Sequence, residues 1–316
     1  PQAAGRKSLL IYSCLNKKRS LFMTTLVNFA DVPLVERQHA RQGTFRAHPM
    51  LHGTDGTPGN FFLQLSRTYA DFLSPRHRHN FEQIRVQLEG PADFDRDGVM
   101  QQGSVGYFPE GVFYGPQSIS GESLTLVLQF GGASGSGYIS EARFQAGVEK
   151  LKATGTFEQG IYRSTRPDGS VRSKDAYEAV WEDLNGRALK YPGSRYQKPV
   201  LLDPEAFAWQ ETDDDAGTAR RHLLTASEGE LRLAQWKLAS GKQVTLEANT
   251  IVFVMEGQGQ TNGSEWDKWS TLYSGESPLT LAAKSPAVLL EICLPNIPIS
   301  PETVHTEFTT ILEQST

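Results

Sequence analysis

Cysteine is almost absent, with Cys14 and Cys293 the two in 316 residues. That excludes a disulfide framework and a cysteine metal centre, and it fits a reducing compartment such as the cytoplasm. A basic excess is also missing. Lys and Arg total 31 against 36 Asp and Glu, for a formal net charge of -5, so no general attraction to a phosphate backbone is available and a nucleic-acid partner is excluded. No apolar run approaches the ~20 residues of a membrane helix, and Leu9–Leu15 is too short for a signal core. A membrane is therefore not an expected partner. No phosphate-loop or nucleophile-elbow pattern occurs, and neither the Gly131–Gly137 run nor Gly257-Gln-Gly259 follows a strand and opens a helix.

What is present describes a globular chain. Hydrophobic residues make up 38%, aromatics 10% and charged residues 21%, enough to build a large core, and the length suits two domains. Residues 1–22 hold Arg6, Lys7, Lys17, Lys18 and Arg19 with no acid. They read as an extension outside the fold ahead of Met23, with a mitochondrial presequence as the rival reading.

Short apolar or alternating runs fill the segment from Asn60 to Phe130. Phe61–Tyr69, Phe81–Leu88, Ser104–Phe108 and Leu124–Phe130 read as strands punctuated by Gly90, Gly98, Gly103, Gly111 and Gly121. After the Gly131–Gly137 hinge, Tyr138–Leu151 has helical composition. Asp175–Leu184 sets Tyr177, Val180, Trp181 and Leu184 on one helical face, as core residues docking the helix on a sheet. Beyond an acidic loop at Glu211–Asp215, strands recur at Leu231–Leu238, Val244–Leu246, Ile251–Met255, Leu279–Ala282 and Val288–Leu294. Two similar strand sets around a helical segment predict an internal duplication.

One constellation carries chemistry. In Pro75-Arg-His-Arg-His-Asn-Phe-Glu-Gln-Ile-Arg-Val-Gln-Leu-Glu-Gly90, His77 and His79 are two apart, so on an extended chain both imidazoles project to the same side and can share an ion. This stretch resembles the first motif of the cupin family, with Gln83 where that motif has an acid. Gly103-Ser-Val-Gly-Tyr-Phe-Pro-Glu-Gly-Val-Phe-Tyr114 resembles the second, with Tyr114 in the place of its histidine. The resemblance implies an all-β fold of two jelly-roll cupin barrels joined by a helical segment. Residues 23–136 would form the first barrel, 137–197 the helical linker and 198–316 a degenerate second barrel.

The resemblance further implies a divalent transition metal (Fe, Mn, Ni or Zn) held by His77, His79, Gln83 and Tyr114. An amide brings no charge, and a phenol binds tightly only once ionised, so this set is weaker than one with a carboxylate. Glu82 could supply that carboxylate only if the turn were tighter, and strand alternation turns it to the opposite face from Gln83. The same alternation sends Arg85 and Gln87 inward and Ile84, Val86 and Leu88 outward. Arg85 then either pairs with an acid on a solvated face or grips an anionic oxygen of a small ligand.

The function implied is a metal-dependent enzyme acting on a small oxygenated or anionic substrate, a quercetinase-like dioxygenase among its forms. Tyr114 and Arg85 would be catalytic, and Arg85 and Gln87 would bind substrate. The alternatives are a non-catalytic small-molecule or sugar-binding barrel and metal-free isomerase, epimerase or lyase chemistry by His77 and Tyr114. A homodimer is implied through apolar sheet faces.

The second half lacks these ligands. Aligning Glu256-Gly257 on Glu89-Gly90 puts Val244, Leu246 and Thr250 at the positions of His77, His79 and Gln83, so that barrel reads as structural. Trp266 and Trp269 fit either its core or a ligand mouth. His48 and His52, among Pro and Gly, read as surface histidines on a loop, and His39 and His222 as structural.

Overall fold

The computed structural model describes residues 24–38, 44–55, 57, 59–135, 138–212, 216–226 and 231–296. The extension at 1–22 and His39 lie outside these residues, as do parts of the Gly131–Gly137 hinge and of the acidic loop.

Two seven-stranded antiparallel sheets dominate. The first runs in space Val200–Leu202, Val105–Phe108, Glu82–Glu89, Ser123–Phe130, Phe61–Thr68, Thr44–His52, Val35–Gln38. A four-stranded sheet of Leu73–Ser74, Gln117–Ser118, Ala92–Asp93 and Val99–Met100 completes this barrel. The second large sheet runs Thr25–Val27, Thr271–Tyr273, Thr250–Glu256, Ala287–Cys293, Leu231–Leu238, Thr218–Ala226, Gln210–Glu211, with its own four-stranded partner from Gln243–Leu246 to Ser264–Trp266. The chain thus has the all-β, two-barrel architecture that the paired strand sets imply.

Strand alternation assigns each face a different neighbour. Leu63, Leu65, Ile84, Val86 and Leu126 of the first sheet pack on Leu231, Leu233, Phe253, Leu290 and Ile292 of the second in one apolar cluster. These two apolar faces therefore cover each other within the chain. Inside the second barrel Val244, Leu246, Val252, Val254, Leu281 and Trp266 form a closed hydrocarbon core, while Trp269 packs edge-on to Phe29 beside the inter-barrel cluster.

The halves also exchange strands. Thr25–Val27 pairs with Thr271–Tyr273 of the second barrel, and Val200–Leu202 pairs with Val105–Phe108 of the first. Each stretch of sequence assigned to one barrel thus lends an edge strand to the other. The 137–197 segment is not purely helical. It holds α1 (Glu141–Lys152), α2 (Ala176–Asn185) and a three-stranded sheet, Gly155–Glu158, Ile161–Thr165 and Val171–Asp175. Asp175 ends that sheet and caps α2 by accepting the Tyr177 and Glu178 amides.

His48 and His52 lie on the Thr44–His52 strand rather than on a loop. Pro49 misled the reading because proline removes a ladder donor, and the strand accommodates it with a bulge between Pro49 and Leu51. His48 Nδ1 lies 2.8 Å from the Val32 carbonyl oxygen and its ring packs at a tilt against Phe29, a structural role.

Gly90 closes the strand that carries the site. Its φ is 63°, and an added Cβ would overlap the Glu122 carbonyl oxygen. The left-handed backbone alone costs a non-glycine residue about 1–2 kcal/mol. Gly90→Ala is expected to lower unfolding stability by at least about 1 kcal/mol in urea titration; an unchanged midpoint would mean the turn relaxes freely.

Candidate functional site

Two backbone clips bring the motifs together. His77 and Tyr114 form an antiparallel bridge, with His77 N donating to Tyr114 O at 3.1 Å and Tyr114 N to His77 O at 2.9 Å. Gly111 N donates to His79 O at 2.8 Å from a left-handed turn at φ 77°, which favours glycine. The second motif thereby lies directly beside the first, and the Glu82–Glu89 strand carries Gln83 and Arg85 to the same hollow.

That hollow is a cavity of about 140 Å³. Its walls are polar: His77, His79, Gln83, Arg85 and Gln117 stand with Gln64, Ser66 and Thr68 of one strand and Thr125 and Gln129 of another. Its mouth is aromatic, where Phe81, Tyr138, Phe144 and Tyr177 bring the α1–α2 segment over the barrel. Tyr177 Oη donates to Asn80 Oδ1 at 2.7 Å, Asn60 Nδ2 to the Tyr138 carbonyl at 2.6 Å, and Tyr138 Oη to Gln129 Oε1 at 2.9 Å, so the cover is latched. The α2 aromatics dock the helix as their spacing predicts, and Tyr177 lines the cavity as well.

Arg85 is the centre of the electrostatics. Only 8% exposed, its Nε and Nη2 donate to Gln83 Oε1 at 3.0 and 2.8 Å, Nη1 to Gln117 Oε1 at 2.8 Å and Nη2 also to Tyr114 Oη at 3.1 Å. The guanidinium lies 4.6 Å from the Phe108 ring centroid and 5.4 Å from that of Phe94, within cation–π range. Among the described residues no carboxylate stands within ion-pair distance of it. Burial pushes its pKa below the ordinary guanidinium value, with the Tyr114 oxygen opposing the shift, yet an arginine stays charged in proteins. A buried cation with neutral partners alone is an incomplete arrangement, and an anion completes it.

Tyr114 connects that cation to a base. The Pro75 carbonyl lies 2.6 Å from His77 Nδ1 and can only accept, so Nδ1 carries a proton and the neutral ring keeps a lone pair on Nε2. Tyr114 Oη, 3.0 Å away, donates to that lone pair while receiving Arg85. A positive charge on the phenol oxygen eases proton transfer toward the imidazole. His79 sits in a ring cluster, 4.8 Å from His77, 4.3 Å from Phe81 and 5.9 Å from Tyr114 between centroids.

His77, His79, Gln83 and Tyr114 thus come together, but as a ligand set they do not fit a divalent metal. Gln83 Oε1 and Tyr114 Oη both face Nη2 of Arg85. An ion at ~2.1 Å from Gln83 Oε1 would stand no more than about 5 Å from that charge, a repulsion of at least about 7 kcal/mol at an effective dielectric of 20. No carboxylate offsets it: among the described residues no group of three or more His, Cys, Asp or Glu is placed to hold a metal. Glu82 points away and pairs with Arg195 at 2.6 Å.

Gln87, expected to bind substrate, faces inward but is not on the cavity wall. Its Oε1 accepts Thr125 Oγ1 at 2.9 Å and its Nε2 donates to the Glu89 carbonyl at 2.9 Å, so its polar atoms are already used. The sequence reading missed Gln117, Gln64 and Gln129. Gln64 and Gln129 could have been found as polar residues alternating within apolar strands; Gln117 follows a tight Gly115-Pro116 turn and left no periodic signal.

No family model matches the sequence, and no curated protein sequence matches it. Solved structures do match. A provisionally assigned dioxygenase of Nostoc punctiforme PCC 73102 is 10% identical, with a TM-score of 0.56 over 86% of this chain and 82% of that one. Bacillus subtilis oxalate decarboxylase, a protein with Mn(II) centres, is 12% identical, with a TM-score of 0.48 over 86% and 77%. A Geobacillus kaustophilus protein is 12% identical, with a TM-score of 0.46 over 87% and 98%. At these identities the likeness is one of fold.

Proposed function

The chain is a two-barrel cupin by fold, and from that premise we propose that its first barrel binds a small, oxygen-rich organic anion and moves a proton on it without a resident metal. The observation that carries this reading is Arg85: a buried cation on a polar cavity wall, with amides and a phenol against it and, among the described residues, no acid within ion-pair distance, although Glu141 of α1 also lines the cavity. A carboxylate or enolate oxygen supplies the missing charge through charge-assisted hydrogen bonds.

His77 and Tyr114 supply the proton chemistry. A proton on the carbon next to the guest's carbonyl or carboxylate passes to the Tyr114 oxygen as the phenol's own proton moves to His77 Nε2, the electron pair moves into the enolate, and Arg85 holds the developing oxygen charge. The His77–Tyr114 pair then returns a proton to carbon, giving an isomerisation. If a group leaves from the neighbouring carbon instead, the same steps give an elimination. The aromatic cover keeps water from the enolate. Metal-dependent oxygenation, which the family resemblance also implied, would need Gln83 and Tyr114 released from Arg85.

The test is hydrogen exchange at carbon. Chelator-treated protein incubated with a panel of small 2-oxo acids in D2O is expected to replace α-hydrogens faster than the uncatalysed rate, followed by proton NMR. His77→Asn should lower that rate by about 100-fold or more, the usual range for a lost general base. Guests that bind at Arg85 yet never exchange would leave a binding protein and defeat the catalytic part of the reading.

A further inference from the structure

We infer that the first barrel takes a short hydroxy acid, held by its carboxylate at Arg85 and by a hydroxyl at its opposite end against Gln64. This rests on the reading of the barrel as an anion site and adds a second point of recognition to it.

The sheet sets the two contacts at one level. Val127 pairs with Arg85 on one side and with Gln64 on the other, and all three line the cavity, so the wall reads cation, hydrocarbon, amide across three strands. Arg85 and Gln64 stand two strand spacings apart at the backbone, about 9.5 Å. A guest that meets both needs a polar group at each end and carbon between them over Val127. The cavity of about 140 Å³ limits it to roughly six or seven heavy atoms, the size of a four-carbon acid.

Gln64 specifies what the far end carries. The residue is 8% exposed, and its Oε1 is buried with no hydrogen-bond donor against it among the described residues. Its partner on the neighbouring strand is Pro49, which has no N–H. Two hydroxyls of the same wall are already committed, Thr125 Oγ1 to Gln87 and Tyr138 Oη to Gln129. An unpaired buried carbonyl oxygen is costly, and a donor on the guest relieves that cost. The last torsion of a glutamine is soft, so the amide can turn to meet it. Glu141, the first residue of α1, accepts Gln145 Nε2 at 2.8 Å and as a carboxylate brings no donor to the lining. The donor is uncharged, because an ammonium would set a second positive charge at the level of Arg85. A hydroxyl beside the carboxylate stays at the Arg85 end; one on the terminal carbon reaches the amide.

Calorimetric titration with a matched four-carbon series tests this. Butyrate, 2-hydroxybutyrate, 4-hydroxybutyrate and 4-aminobutyrate are each titrated into wild-type protein, Gln64→Met and Arg85→Met. In wild type, 4-hydroxybutyrate is expected to bind about tenfold more tightly than butyrate, with 2-hydroxybutyrate close to butyrate and 4-aminobutyrate weaker than 4-hydroxybutyrate. Gln64→Met, similar in length but without an amide, should bring the ratio of 4-hydroxybutyrate to butyrate affinity to about one. If Gln64→Met does not fold, Gln64→Leu carries the same expectation. Equal wild-type affinity for butyrate and 4-hydroxybutyrate, or a preference that survives loss of the Gln64 amide, overturns the inference and leaves the anion site standing. Tighter binding of 4-aminobutyrate overturns it as well, in favour of Glu141. If none of the acids binds, or all bind Arg85→Met as they bind wild type, the anion site itself fails and the inference falls with it.

Discussion

Arg85→Met is expected to abolish binding of small carboxylates to the first barrel while the chain stays folded. Methionine keeps much of the unbranched stem and the apolar contact with Phe94 and Phe108 but removes every N–H that a carboxylate could use. Truncating one partner of a buried, hydrogen-bonded charge pair typically costs 2–5 kcal/mol of affinity, or roughly 30- to several-thousand-fold. Calorimetric titration with malonate should show at least about a 100-fold loss. The neutral diamide of malonate should bind wild type weakly and respond little to the substitution, since the missing term is the charge. Stability should move much less, because the loss of four hydrogen bonds to neutral groups is offset by no longer burying a cation. Undiminished malonate binding by a folded Arg85→Met protein would place the anion elsewhere.

Arg195→Met is expected to have the opposite profile, a large loss of stability arising outside the cavity. Glu82 and Glu110 have fully buried side chains, and Arg195 holds both, at 2.6 and 3.0 Å. Ser134 adds its amide and hydroxyl to Glu110 at 2.8 and 2.7 Å. Burial alone would lower the Arg195 pKa, but the two carboxylates outweigh it and push the value up, so this guanidinium is charged at every working pH. One cation thus ties together the site strand, the turn of the second motif, the chain leading to α1 and the segment after α2. Breaking a buried ion pair from one side costs about 3–5 kcal/mol. For a chain of 316 residues that is a fall in Tm of roughly 5–8 °C. A change below about 1 kcal/mol would mean that water or another cation takes over the carboxylates.

How far the sequence speaks depends on how local each determinant is. The Glu82–Glu89 strand was legible because Ile84 and Val86 alternate with Gln83 and Arg85, and the structure sends the first pair to the inter-barrel core and the second to the cavity. The filling of the second barrel was legible for the same reason, since Val244 and Leu246 alternate with polar residues and supply its apolar core. The exchanged strands Thr25–Val27 and Val200–Leu202 were not, because three residues carry no period. The three-stranded sheet between the helices was hidden as well: Val171–Asp175 is largely exposed and shows no apolar face. Above all, the partner of Arg85 was open in the sequence. Whether it met an acid or a neutral amide depended on Gln117, which lies 32 residues away and reaches it through the fold. Gln87 lies off the cavity wall for a similar reason, because Thr125, 38 residues away, claims its oxygen.

A crystal structure of the chelator-treated wild-type protein grown with malonate, with anomalous data collected for transition metals, tests the central claim most directly. The account predicts a carboxylate against the Arg85 guanidinium within the first barrel and no anomalous peak between His77 and His79. A metal peak ligated by those two rings with Arg85 swung aside, or malonate bound only outside the barrel, would contradict it.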